Sequence, residues 1–293
     1  MLTGVSVSCF LFSYLVVLGM EAGRLFLKLP AKGFLLIAMM AAGFLAHSIF
    51  LFNEFGSSQS LLGNWFQWTV LGAWALSGAC LYLTFRNSES STGLFLIPII
   101  LGLIGVAQLL RDSQPFQPQT TVTVWRMIHG VSLLVGTIFI CFGCAFAIMY
   151  LLKSWRLKHR RMGKGPLKLP TLEFLQSINR MSLLTSTIGL AIGLISGIVL
   201  NINSQGPAIW LNSGIILTFV LFVVSLIASS LELSSPSSLG GRRGAYLSLA
   251  NFAFLALVLL LTMLSSHGQS DAEDAPSTQS QNSQLTIATE VRS

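Results

Sequence analysis

Apolar residues gather into eight runs along the chain, near residues 2 to 19, 33 to 52, 65 to 85, 94 to 110, 127 to 152, 180 to 202, 211 to 231 and 245 to 265. Each approaches the roughly 20 residues a helix needs to cross a bilayer core. Polar and charged residues collect in short segments between them. A backbone in lipid must satisfy its own polar groups, so runs of this length predict transmembrane helices. The expected fold class is all-α, a polytopic membrane helix bundle of about eight transmembrane helices.

Composition agrees. Of the 293 residues, 53% are hydrophobic and only 9% charged, against roughly a quarter charged in ordinary soluble domains. The first run does not read as a secretory leader. No basic residue precedes it, and Glu21, Arg24, Lys28 and Lys32 follow it.

Charge orients the bundle. The connections after the first, third, fifth and seventh runs, with the adjoining span edges, hold 14 of the 17 Lys and Arg residues, leaving Arg111, Arg126 and Arg292 for the other side. Basic residues mark cytoplasmic loops, so both termini are expected outside. The segment "KSWRLKHRRMGKGPLK" is where such a topology puts its positive charge, which argues for a lipid bilayer and against nucleic acid as its partner.

This orientation sorts the histidines. His129, in "VWRMIHGVSLL", opens the fifth run, and His267, in "LLTMLSSHG", follows the eighth, so both reach the outer surface. His47 lies in the outer half of the second run, where an ionisable ring is a functional candidate by default. His159 belongs to the basic cytoplasmic loop. Three outer histidines suggest haem, because imidazole is the usual axial ligand of its iron and a flat apolar macrocycle suits a groove between helices. The competing reading of His129 is an interfacial ring bonded to backbone or headgroup.

Other motifs point to packing. "CFGC", Cys141 to Cys144, has redox spacing but no cationic neighbour to stabilise a thiolate. Gly189, Gly193 and Gly197 make a bare strip on the sixth run, suited to close helix contact or to a flat ligand. Trp65, Trp68, Trp125 and Trp210 fall near outer boundaries, as an aromatic belt does, whereas Trp74 is deeper. Residues 1–267 form the expected membrane domain, and the acidic, Ser- and Gln-rich stretch 268–293 is expected to be a disordered polar tail. The chain shows no Walker loop, zincin motif or carboxylate pair within a span, so no independent catalytic motif is read.

The segments "LPTLEFLQSINRMSLLTSTIGLAIGLISGIV", "MIHGVSLLVGTIFICFGCAFAIMYLL" and "LGGRRGAYLSLANFAFLALVLLLTMLSSH", with "SLLGNWFQWTVLGAW" and its Trp74 in the first half, resemble the cytochrome c assembly membrane family, the CcsA and HemX group. The resemblance extends nearly to His267. It implies residence in the bacterial cytoplasmic membrane and haem b as cofactor. His129 and His267 would be the two outer iron ligands, with His47, Trp74 and Trp210 as further haem-binding positions. It also implies apocytochrome c and a second cytochrome-assembly membrane subunit as partners in a haem lyase system. The departures are specific. In place of a tryptophan-rich "WWD" segment stands "NINSQGPAIWLNSG", with the single Trp210, and "LFVVSLIASSLELSS" in the seventh run lacks the histidine of haem-transporting members. An alternative that fits these departures is a HemX-like membrane regulator or scaffold without lyase activity, linked to tetrapyrrole biosynthesis.

Overall fold

A computed structural model describes residues 6–26, 33–57, 62–87, 90–111, 123–159, 167–203, 213–234 and 237–273. They form α1 (Val7–Phe26), α2 (Gly33–Ser57), α3 (Trp65–Arg86), α4 (Gly93–Leu109), α5 (Thr123–Lys158), α6 (Leu172–Asn203), α7 (Ser213–Leu233) and α8 (Ser237–Glu273). Among the described residues there is no strand. Seven helices are long and apolar enough to cross a membrane. The eighth, α4, has 17 residues, about 25 Å of helix. The protein is a polytopic helical bundle.

Two groups of four compose it. In the first, α1 packs on α2 and α4, and α3 on α2 and α4; in the second, α5 packs on α6 and α8, and α7 on α6 and α8. Contacts of α5 with α3 and α4 join the groups. Phe10, Tyr14, Met40, Leu76, Ile97 and Ile100 are buried in the first group, and Phe146, Met149, Leu175 and Leu190 in the second. Large apolar side chains such as Phe34, Phe52, Phe85, Ile188 and Ile195 point outward. That pattern suits lipid, which removes the hydrophobic drive between helices and leaves close packing to hold them together.

Glycines make that packing possible. A methyl group on Gly189 would lie 2.9 Å from the main-chain oxygen of Ser132 and 3.0 Å from the nitrogen of Gly136, so the α5 and α6 backbones are in contact. Gly193 faces Leu133 and Gly197 faces the His129 ring. The glycine strip is therefore occupied by α5. "CFGC" has the same role: Gly143 lies where Ser182 of α6 and Ser248 of α8 meet α5, while Cys141 and Cys144 are buried free thiols.

At the basic end, which we call the inner face from the charge distribution, the lead-in to α6 is held by its neighbours. Lys153 donates to the carbonyls of Leu169 and Pro170, Arg156 donates to Leu167, and the amide of Ser91 donates to the carbonyl of Lys168. Thr171 then accepts from the Phe174 amide and caps the helix. Nearby, the carboxylate of Glu21 sits against Gly93 at the start of α4, with Arg24 3.8 Å away. A helix N-terminus and an arginine explain why an acid can be buried there.

Helix boundaries differ from expectation at α5, α6 and α8. Both α5 and α6 extend well beyond their apolar runs toward the inner face, because tertiary hydrogen bonds hold their polar ends. At the other end, α8 runs through Glu273, so helix takes the first six residues of the segment expected to be a disordered tail. No proline interrupts it before Pro276. Residues 274–293 lie outside the described residues.

Candidate functional site

His129 sits on the second turn of α5, half-buried against α6. Its Nδ1 lies 2.7 Å from the carbonyl oxygen of Gly193. A carbonyl only accepts, so Nδ1 must carry the proton. In the neutral ring the lone pair is then on Nε2, which makes no hydrogen bond among the described residues. This arrangement is the one used to orient metal-binding imidazoles, in which the second nitrogen is fixed by a backbone carbonyl. The ring can approach because position 197 is glycine: a methyl there would lie 2.9 Å from Cε1 and 3.0 Å from Nδ1.

Trp68 packs on the residue next to His129. Its ring lies directly on Gly130, beside His129, and its Nε1 donates to the carbonyl of Leu62 at 3.0 Å. Leu62 has φ of 58°, a left-handed turn, and Asn64 caps α3 by accepting from the Gln67 amide at 2.9 Å. Gln67 in turn accepts from the Gly63 amide at 2.8 Å. This reciprocal cap fixes the start of α3 and with it the tryptophan. Sequence reading placed Trp68 only in an aromatic belt. Its contact with Gly130 could be found only from the α3 and α5 packing.

The backbone of α8 places His267 near this end of the molecule. Gly143 meets Ser248 and Tyr150 meets Gly241, which sets α5 and α8 antiparallel in one register. By that register His129 is level with residue 262. His267 is five residues further along α8, about 7.5 Å beyond at 1.5 Å per residue. The two histidines thus belong to adjacent helices at one face, with an axial offset. Trp210 lies outside the described residues.

His47 is differently placed. It is fully buried in the α1 and α2 interface, its ring stacked on Phe10 with centroids 4.1 Å apart and planes 2° from parallel. Tyr14 Oη lies 3.3 Å from Nδ1. Its Nε2 makes no hydrogen bond among the described residues. A macrocycle could reach this ring only if Phe10, and hence α1, moved away. Trp74 donates from Nε1 to Ser48 Oγ at 2.9 Å and stacks on Phe44 at 5.4 Å. Its depth follows from that hydrogen bond, which ties α3 to α2. His159 hydrogen-bonds the carbonyl of Trp155 and packs on that ring, at the opposite face from His129.

No known protein family, curated protein or solved structure matches the chain. Its function must therefore be argued from these residues. Among the described residues no group of three or more His, Cys, Asp or Glu could hold a metal ion.

Proposed function

We propose that this multi-pass membrane protein handles haem at its outer face, as its resemblance to the cytochrome c assembly family implies, with His129 as an axial ligand. The observation that carries the reading is the hydrogen bond from His129 Nδ1 to the Gly193 carbonyl. It directs an unprotonated Nε2 away from the α6 backbone without requiring another charged group in the membrane. The site fits haem in part. His129 keeps Nε2 unbonded and Trp68 packs on the neighbouring Gly130, whereas His47 is sealed under Phe10 and does not fit. His267 would supply the second ligand from the adjoining helix. Bound haem would supply an iron that accepts two imidazoles. Presentation to apocytochrome c with a second assembly subunit, and residence in a bacterial cytoplasmic membrane, complete this proposal.

Absorption spectroscopy tests it. Protein purified with added haem should show a Soret band and sharp low-spin bands when reduced. Replacing His129 or His267 with alanine should convert these to a mixed or high-spin spectrum that imidazole restores. A spectrum unchanged by either substitution would sink the assignment. No haem band at all would favour the second reading, a regulator or scaffold of tetrapyrrole synthesis, which rests on the single tryptophan of "NINSQGPAIWLNSG".

A further inference from the structure

The second helix group contains a ladder of buried oxygen atoms. Asn179, Ser182 and Ser186 follow one face of α6, and Gly244, Ser248 and Asn251 follow one face of α8. All the polar members are at least nine-tenths buried. Most hydroxyls nearby are paired. Thr187 contacts Ser225 and Ser229 at 2.9 and 2.7 Å, Ser229 donates to the Leu183 carbonyl at 3.0 Å, and Ser186 donates to that carbonyl at 2.9 Å.

Three oxygens are left over around one void. Ser182 Oγ, Ser248 Oγ and Asn251 Oδ1 have no hydrogen-bond partner, and all three residues line the same small gap beside Gly143, with Ser186 and Phe139. The orientation of Asn251 follows from its network, because Nδ2 donates to Ser225 Oγ at 3.2 Å and leaves the acceptor oxygen over. A serine hydroxyl can rotate so that its lone pairs face the gap. The void is too tight to hold a water molecule without displacement of its walls. What these atoms lack is a small positive partner.

We propose that Ser182, Ser248 and Asn251 bind one dehydrated monovalent cation, sodium, at the junction of α5, α6 and α8. An all-oxygen donor set selects a hard ion. Neutral donors in a low-dielectric interior favour a single charge over two. The tightness of the gap selects sodium over potassium. A carboxylate stands nearby: Glu232 lies against Gly244, one turn before Ser248 on α8, and its Oε2 has no hydrogen-bond partner. Arg180 and Arg243 interact with that carboxylate. Once bound, the ion joins α8 to the α5 and α6 pair, where hydroxyls alone leave three acceptors unmatched.

The test is thermal unfolding of the purified full chain in choline chloride, with sodium or potassium chloride substituted at constant ionic strength. Sodium should raise the melting temperature saturably by several degrees and potassium should not. Ser182→Ala and Ser248→Ala should abolish the sodium response, and Ser248→Thr, which keeps the oxygen, should retain it. Asn251→Asp, which adds a charge to the site, should tighten binding of radioactive sodium at least tenfold. Equal melting in all three salts would overturn the proposal. So would a sodium response that survives both alanine variants. If the alanine variants do not fold, radioactive sodium binding decides: one saturable site per wild-type chain, tightened by Asn251→Asp, supports the assignment, and no site or no tightening overturns it. Haem plays no part in any of these readouts.

Discussion

His129 and Gly193 are joined across the α5 and α6 interface by a 2.7 Å hydrogen bond from the ring to the main-chain carbonyl. The bond depends on the glycine strip, because the ring can rest on α6 only where position 197 has no side chain. Gly197→Val should therefore displace the ring. In haem-loaded protein it should produce the same loss of low-spin signal as His129→Ala, with the fold retained. An unaltered spectrum would mean that the ring is not held by α6.

The helix contact itself makes a second prediction. Gly189→Ala places a methyl group 2.9 Å from the Ser132 carbonyl oxygen and 3.0 Å from the Gly136 nitrogen, both main-chain atoms that cannot turn aside. The expected cost is about 1–3 kcal/mol. Gly102→Ala meets nothing within 4 Å and should be neutral or slightly stabilising. Comparing the melting temperatures of the two variants checks the α5 and α6 interface, and equal values would refute it.

Tyr14 and His47 should behave as a coupled pair. Tyr14→Phe leaves Nδ1 of a fully buried ring without its partner, at about 1–3 kcal/mol. Adding His47→Leu removes the stranded nitrogen, so the double variant should lose less stability than the two single effects summed. Strict additivity in a double-mutant cycle would show that the 3.3 Å contact contributes nothing.

Gly244→Ala should drive the Glu232 carboxylate from its place, because the new methyl would overlap it. The displaced group is the end of a flexible side chain, so we expect a loss of about 1–2 kcal/mol rather than misfolding. Glu232→Ala on the same background should recover part of it. No recovery would place the strain elsewhere on α8.

Topology is tested by labelling. In a background without Cys9, Cys80, Cys141 and Cys144, a cysteine at Lys164 should react only with reagents that reach the cytoplasm. One at Ser277 should react from outside. The reverse result would invert the positive-inside assignment.

The class of fold was legible from apolar run length alone, since bilayer thickness sets how long a spanning helix must be and lipid excludes any other open backbone. The value of the glycine strip as a packing surface was also legible, because spacing by four fixes one face of a helix whatever lies opposite. Which helix lay opposite was not. The partners of each face depend on contacts between residues far apart in the chain, such as Gly197 with His129 and Ser48 with Trp74, and no local pattern encodes them.

The same division applies to the histidines. Sequence alone put His129 at the start of one apolar run, His47 inside another and His159 in the basic segment between two runs, because these follow from position along the chain. Only the tertiary structure decided that His47 is sealed under Phe10 while His129 keeps one nitrogen unbonded. Likewise, nothing in the spacing of "CFGC", "LLTSTIGL" and "YLSLANF" marks them as parts of one site. Their hydroxyls and amide acquire meaning only where α5, α6 and α8 cross, since whether a buried oxygen is satisfied depends on the atoms that three separate helices bring to one point.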